Sequence, residues 1–443
     1  MISKILIVNR GEIACRIIRT CRAMGIATVA VFSDADAEAL HTQLADEAIH
    51  IGEAPASASY LNVERLLEVA KTTGVDAIHP GYGFLAENAS FAQAVIDAGF
   101  IWIGPKPETI AAMGDKRQAK LLLEDVVPVV PGYSGEDQSD DTLIQAADTI
   151  GYPIMVKAAA GGGGKGMRQV NAKEALPEAL AAARREAKNA FGDDTLILEH
   201  VVENPRHIEV QIVGDTQGRV IALGERECSI QRRHQKIIEE TPSTALNDAM
   251  RTEMLAAAVR IGKKLGYIGA GTIEFLVGDG DKFYFMEMNT RLQVEHPVTE
   301  MVYGVDLVRW QILIAEGYSI DSISPTPPLP HGHAIEARIY AEEPENGFLP
   351  STGNVLHWHL PAGDNTVRID SGVQAGDIIS THYDPMIAKV IAYSPFSREE
   401  AIRKLANTLR QVQLFGLQHN IDFLQRVLLH PKHLAGDIST RFL

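Results

Sequence analysis

The sequence predicts a multidomain protein of mixed α/β and α+β class, and three observations carry the prediction. The chain opens on an apolar strand, a helix and a second apolar strand at 5–8, 13–24 and 28–32. Two apolar runs then meet around a Gly/Asp turn at 271–287, and a proline-rich stretch at 322–330 leads into a strand-rich end. Apolar runs bounded by turn residues read as strands, and strands alternating with helical patterns read as a parallel sheet.

Strand–helix–strand at the opening spacing means a parallel sheet with a Rossmann-like start. The intervening turn, Asn9-Arg10-Gly11-Glu12, lacks the three glycines of a dinucleotide site, which argues against NAD. A strand running into a glycine-rich loop over 77–88 and another at 101–104 complete a first domain over 1–113. A helix with basic residues, Lys116 among them, opens at 113–120, and a strand at 152–157 ends in Lys157. Gly161-Gly162-Gly163-Gly164-Lys165-Gly166 follows, then a return strand at 167–170. The run fits GxGxxG by letter, yet it lies between strands and no Ser/Thr follows Lys165. It is therefore neither a dinucleotide turn nor a P-loop. It is either a flexible hairpin tip or a phosphate cradle, since bare backbone N–H groups wrap phosphate oxygens and glycines let a lid hinge.

Strands are predicted at 195–200 and 206–213, the second with His207, Glu209 and Gln211 on one face. Residues 225–236 read as a dense polar loop around Gln231, His234 and Lys236, either a solvated face or an anion pocket. The runs 271–277 and 282–287 read as a hairpin, with Glu274 opposite Phe285 and Glu287 as its diagonal neighbour. From there Glu287, Asn289, Arg291, Gln293 and Glu295 alternate with Met288, Thr290, Leu292 and Val294. If the segment stays extended, one face carries acids, amides and a guanidinium. Hard oxygens suit Mg2+ beside phosphates, and Arg offers a fork to an oxyanion. Two carboxylates facing each other in an apolar hairpin would repel unless one or two cations bridge them. A helix follows over 298–316, then the stiff linker, then a strand-rich domain from His333 with helices at 397–414 and 420–429.

The chain has 443 residues and a net charge of −16, which argues against a nucleic-acid partner. Cys15, Cys21 and Cys228 have no metal-like spacing and suit a reducing compartment. The first apolar run is too short for a signal peptide or a membrane span, so a cytoplasmic protein is expected.

Many motifs in order resemble the biotin carboxylase family, within the ATP-grasp enzymes, over essentially the whole length. They are Asn9–Glu12 with Arg16, His79–Phe84, Met113–Lys116, Lys157–Met167, Glu203–Glu209, Gln231–Lys236, Glu287–Pro297, Gly332–Arg338 and Tyr383–Lys389. The resemblance implies a Rossmann-like domain (1–113), an ATP-grasp domain (114–325) with a mobile glycine-rich lid at about 131–202, and a strand-rich C-terminal domain (333–443). It implies ATP- and bicarbonate-dependent carboxylation of biotin on a carrier protein, through carboxyphosphate. Lys116, Lys157, Gly163, Gly164 and His207 resemble ATP-phosphate contacts, Glu199, Gln231, His234 and Leu276 nucleoside contacts, and Met167 a further ATP contact. Glu274, Glu287 and Asn289 resemble a site for Mg2+ or Mn2+, with two ions expected. Lys236, Arg291, Gln293 and Val294 (through its N–H) resemble the bicarbonate site, Glu295 the general base, and Arg338 the residue beside the biotin ureido group. The catalytic set is thus Glu295, Arg338, Arg291 and Lys236.

The partners implied are a biotin carboxyl carrier protein, carboxyltransferase subunits and a second copy in a homodimer. The expected assembly is an acetyl-CoA carboxylase of fatty acid synthesis. A carbamoyl-phosphate synthetase-like ligase is the alternative. Ala160, Lys165 and His200 depart from the family's usual Gly, Arg and Lys. No carrier-like segment follows the last helix, so a separate subunit is expected.

Overall fold

The computed structural model describes residues 1–160, 167–232, 235–278, 282–362 and 364–443. The calls on Gly163, Gly164, Lys165 and His234 lie outside the described residues.

The opening residues build a five-stranded parallel sheet in the order Glu47–Gly52, Ala27–Ser33, Lys4–Ile7, Ala77–His79, Ile101–Trp102. Its central strand is Lys4–Ile7, whose Ile5, Leu6 and Ile7 are fully buried, as an all-apolar run between two layers must be. The helix Gly11–Ala23 packs on it through Ile13, Ala14, Ile17 and Cys21. The turn before this helix is tied to the loop after Ala77–His79. Asn9 Nδ2 donates to the carbonyls of Pro80 (2.7 Å) and Tyr82 (2.8 Å), and Gly81 sits at φ +65 against Asn9. A side chain at Gly81 would meet Asn9 Nδ2 at 3.0 Å, so a glycine is required there.

A four-stranded antiparallel sheet follows, ordered Gly132–Tyr133, Leu196–His200, Ile154–Ala158, Arg168–Val170. The helices Asp140–Ile150 and Leu176–Phe191 cover one face with Leu143, Ala147, Leu176 and Leu180.

The largest sheet has eight antiparallel strands. Its order is Lys282–Asn289, Gly269–Gly278, Arg206–Gly214, Val220–Arg232, Gln235–Thr241, His333–Tyr340, Met386–Ser394, Val367–Ser371. It runs without a break from the hairpin into the C-terminal strands, because Gln235–Thr241 pairs directly with His333–Tyr340. On the C-terminal part, Arg398–Gln411 and Ile421–Leu428 bury Ile402, Leu405, Leu409 and Leu424 against the sheet.

Four local expectations change. Residues 225–236 are not a loop: the strands Val220–Arg232 and Gln235–Thr241 occupy most of that span. Their polar side chains satisfy one another inside the sheet, which a reading by polarity mistakes for exposure. Glu274 stands directly opposite Glu287, because Met286 forms a bulge between the Phe275–Phe285 and Glu274–Glu287 pairs. The strand Lys282–Asn289 ends before Arg291, so Arg291, Gln293 and Glu295 lie on a turn rather than on one strand face. The helix predicted over 298–316 is two helices, His296–Tyr303 and Leu307–Ala315, broken where Gly304 takes φ 64.

Candidate active site

A cavity of about 640 Å3 lies between the four-stranded sheet and the eight-stranded sheet. The first sheet contributes Lys157 and Glu199, and Met167 lies beside it. The second contributes His207, Gln231, Lys236, Glu274, Leu276, Glu287, Asn289 and Arg338, and the turn after it Arg291, Gln293, Val294 and Glu295. Lys116 enters from the start of the helix Lys116–Leu123. Every sequence-predicted site residue among the described ones lines this cavity. His200, one of the three departures, also lines it, while Ala160 bridges to Asp115 at the mouth of the strand Ile154–Ala158.

The centre is Lys236. Its ammonium donates to Glu209 (2.6 Å), Glu274 (2.9 Å) and Glu295 (2.6 Å), three buried carboxylates. Burial works against every charge here, and the partners overcome it. Lys236 stays protonated well above the ordinary lysine range, and Glu274 and Glu295 are held below the carboxylate range by Lys236 together with His207 and Arg338 respectively. His207 contacts Glu274 at 3.0 Å; burial lowers its pKa, the Glu274 charge more than restores it, and the net shift is upward.

Arg226 supports this centre from inside the sheet. Fully buried, it donates to Glu209 (2.5 Å), Gln211 (2.8 Å), Thr299 (3.0 Å), Thr272 (3.0 Å) and Gln293 (2.8 Å). All five guanidinium N–H groups are thereby used. Gln293, so fixed, turns its amide N–H to Glu274 (2.9 Å). Sequence reasoning placed Arg226 in a polar loop; no alternation marks the run, since Glu225, Glu227 and Ser229 are as buried as Arg226, Cys228 and Ile230.

Glu87 was also passed over. It accepts from Arg291 Nε (2.8 Å) and the Thr290 N–H (3.1 Å), so the first domain orients the guanidinium. Lys120 was another omission. Glu199 accepts from both Lys120 and Lys157, and a single carboxylate serves two ammonium groups. Burial and neighbouring lysines push Lys157 down to about 8 and Lys120 to about 6. Such a cluster of under-compensated cations is a place for a polyanion.

Glu274 and Glu287 face each other with Asn289 alongside, an all-oxygen donor set of the kind a hard divalent cation takes. Lys116 meets Glu287 at 2.8 Å and Lys236 meets Glu274, so each acid already answers to a positive charge. The chemistry of the set fits Mg2+ or Mn2+. His207, Glu209 and Glu274 also converge closely, but the Lys236 ammonium bonds both of those carboxylates. Arg338 Nη2 reaches Glu295 (2.9 Å) and Glu239 (2.6 Å) at the far end of the cavity.

Three family models match in order: the biotin carboxylase N-terminal domain over residues 1–110, the carbamoyl-phosphate synthase L chain ATP-binding domain over 115–323, and the biotin carboxylase C-terminal domain over 336–443. The biotin carboxylase of Campylobacter jejuni, solved as a β-γ-ATP complex, is 43% identical with a TM-score of 0.97, over 100% of this chain and 98% of that one. The chain belongs to the biotin carboxylase family. The biotin carboxylase domain dimer of Hydrogenobacter thermophilus 2-oxoglutarate carboxylase, solved with MgADP, ADP and bicarbonate, is 42% identical with a TM-score of 0.96, over 100% of this chain and 97% of that one. Mouse mitochondrial methylcrotonoyl-CoA carboxylase subunit alpha is 51% identical over 100% of this chain and 62% of that protein. The propionyl-CoA carboxylase alpha chain of Ruegeria pomeroyi is 47% identical over 100% of this chain and 68% of that protein. The chain spans about three fifths of the length of the methylcrotonoyl-CoA carboxylase subunits it matches. No helix among the described residues is long and apolar enough to cross a membrane.

Proposed function

We propose that this chain carboxylates biotin, carried on a partner protein, at the expense of ATP and bicarbonate, as the first half-reaction of an acyl-CoA carboxylase. The single observation that carries the reading is the convergence of Lys116, Lys157, Lys236, Arg291, Glu295 and Arg338 on one cavity, cations and a base together. Lys116, Lys157, His207 and the loop around Gly163 and Gly164 would hold the ATP phosphates. Glu199, Gln231, His234, Leu276 and Met167 would surround the nucleoside. Glu274, Glu287 and Asn289 would hold Mg2+, which when bound offsets charge on the transferring phosphoryl group.

Bicarbonate, held by Lys236, Arg291, Gln293 and the Val294 N–H, attacks the γ-phosphate as Glu295 takes its proton, giving carboxyphosphate and ADP. With Lys236 and Arg338 both on it, Glu295 is too weak a base for this. Bicarbonate and biotin would draw those two cations away, and the carboxylate then regains its basicity. Carboxyphosphate yields CO2 and phosphate; the phosphate deprotonates the ureido nitrogen, and Arg338 offsets charge on the ureido oxygen while CO2 is captured.

Partners of the relatives' kind follow: a carrier, a carboxyltransferase, and a second copy in a homodimer. Acetyl-CoA was the acceptor expected from the sequence; relatives at 47–51% identity are methylcrotonoyl- and propionyl-CoA carboxylase chains, and these acyl groups stand beside it. Three buried free cysteines fit a reducing compartment such as the cytoplasm.

The test is ADP release measured with bicarbonate and biotin each present or omitted. Release that needs both supports the reading. Release indifferent to both overturns it, and ammonia-dependent release without biotin favours the carbamoyl-phosphate synthetase-like alternative.

A further inference from the structure

Glu239 and Glu336 face each other across the antiparallel pair Gln235–Thr241 and His333–Tyr340. Both are 0% exposed, so their side chains stand on one buried face of the sheet. Like charges directly opposite in a sheet repel, and neither carboxylate is exposed to solvent that would screen the repulsion. Neither oxygen of Glu336 has a hydrogen-bond partner among the described residues. The cation that bears on it most is Lys389, also 0% exposed, ahead of Arg338. That ammonium is committed elsewhere: it donates to the Val294 carbonyl (2.8 Å) and pairs with Glu12 (3.1 Å) and Asp370 (3.8 Å). A carboxylate with no free cation in a dry site is neutralised most readily by a proton.

Glu239 likewise has no hydrogen-bond partner of good geometry among the described residues, but unlike Glu336 it is ion-paired. Its Oε1 lies 2.6 Å from Arg338 Nη2, the nitrogen that also donates to Glu295 Oε2 at 2.9 Å. One NH2 group is thus claimed by two acids. Arg338 Nε is buried and has no partner among the described residues.

We propose that Glu336 keeps its proton at neutral pH, and that its neighbour Glu239 gains and loses one, so positioning Arg338: protonated Glu239 leaves the guanidinium to Glu295 and the incoming ureido oxygen, and ionised Glu239 withdraws it. The role of Arg338 in this inference rests on the biotin carboxylation proposed above. The groups facing the pair are Arg338, Tyr340 and Lys236 on the same two strands, Cys228 on the strand beside them, Glu295 on the turn and Lys389 on the next strand. Their balance agrees with the geometry. Burial raises Glu336 well above the carboxylate range despite Lys389, and it pushes Glu239 up to about 7 despite Arg338. The proton that Glu239 releases goes to water in the cavity. Glu239 and Glu336 are positioning residues, since neither is argued to touch substrate.

Two measurements test the inference on the whole protein. The first needs no turnover: infrared spectroscopy of the protonated-carboxyl C=O stretch at pH 8. The wild type and Glu239→Gln should show a buried protonated carboxyl, and Glu336→Gln should lose it. Absence of the band in the wild type, or its survival in Glu336→Gln, overturns the inference whatever the enzyme's substrate proves to be. The second is the pH profile of KM for free biotin in the ADP-release assay. KM should rise several-fold in the wild type as pH passes through neutrality. Glu239→Gln should flatten that rise. Glu336→Gln should leave its midpoint in place, because one neutral group replaces another. A rise that persists in Glu239→Gln, or a midpoint that moves down a unit or more in Glu336→Gln, overturns it. If Glu336→Gln does not fold, the wild-type spectrum and Glu239→Gln still decide.

Discussion

The two principal sheets solve the problem of a buried interior in opposite ways. The five-stranded parallel sheet hides an apolar face, with Ile5, Leu6, Ile7, Val29 and Val31 in its centre, and its buried histidines are neutral. The eight-stranded sheet hides charge: Glu209, Arg226, Glu274 and Lys389 are all buried, and Lys236 lies among them. A sheet that only has to exist uses oil. The eight-stranded sheet keeps those ions in dry, pre-oriented sets, and it accepts the desolvation cost because those five are hydrogen-bonded, Glu239 and Glu336 being exceptions.

The sharpest way to break this contrast is to remove Arg226, the buried hub. Arg226→Met should cost about 3–5 kcal/mol of stability, since Glu209, Gln211 and Gln293 lose their donor together. Denaturant midpoints and ADP release check it; a near-wild-type midpoint would mean the charges are decoration. Next is Glu295→Gln, which should cut biotin-dependent turnover by roughly 100-fold or more while the fold persists. A near-wild-type rate would take the base role away.

The third prediction turns on pH and on the other sheet. His41 and His79 are buried, and burial lowers each to about 4 from an ordinary 6.5. The Gly81 N–H donates to His79 Nδ1, which therefore carries no proton. Protons bind these two groups more readily in the unfolded chain, so stability is intact above pH 6.5 and falls as pH drops from 6.5 towards 4. At pH 5 the loss is about 2 kcal/mol for each histidine. Urea midpoints of wild type and His41→Gln at pH 7.5 and 5 read it; an equal drop in both would refute it for His41. The smallest effect belongs to a methylene in the apolar sheet. Ile7→Val should cost about 1 kcal/mol and leave ADP release unchanged, and a loss of activity there would show that the two sheets are not independent.

The same contrast explains what the sequence made legible. The apolar sheet announces itself: an unbroken run such as Ile5-Leu6-Ile7 with a helical pattern behind it has few other readings. The charged sheet does not. Residues 225–236 look like a solvated loop because polarity is read as exposure, and nothing local says that Arg226 will find five acceptors from two other strands, a helix and a turn. The site residues after Glu287 were legible as a set, yet the reason given for their convergence, one extended strand, fails after Asn289. They converge because the turn is pinned from elsewhere, by Glu87 on Arg291 and Lys389 on Val294. The bulge at Met286 was equally invisible, since a one-residue slip leaves no mark in hydropathy.

Because Gln235–Thr241 pairs directly with His333–Tyr340, Lys236 and Arg338 stand on neighbouring strands of one sheet, just beyond the rungs that join 238–241 to 334–337. A hinge between the Lys236 end and the Arg338 end of the cavity would have to tear backbone hydrogen bonds. That floor is therefore stiff.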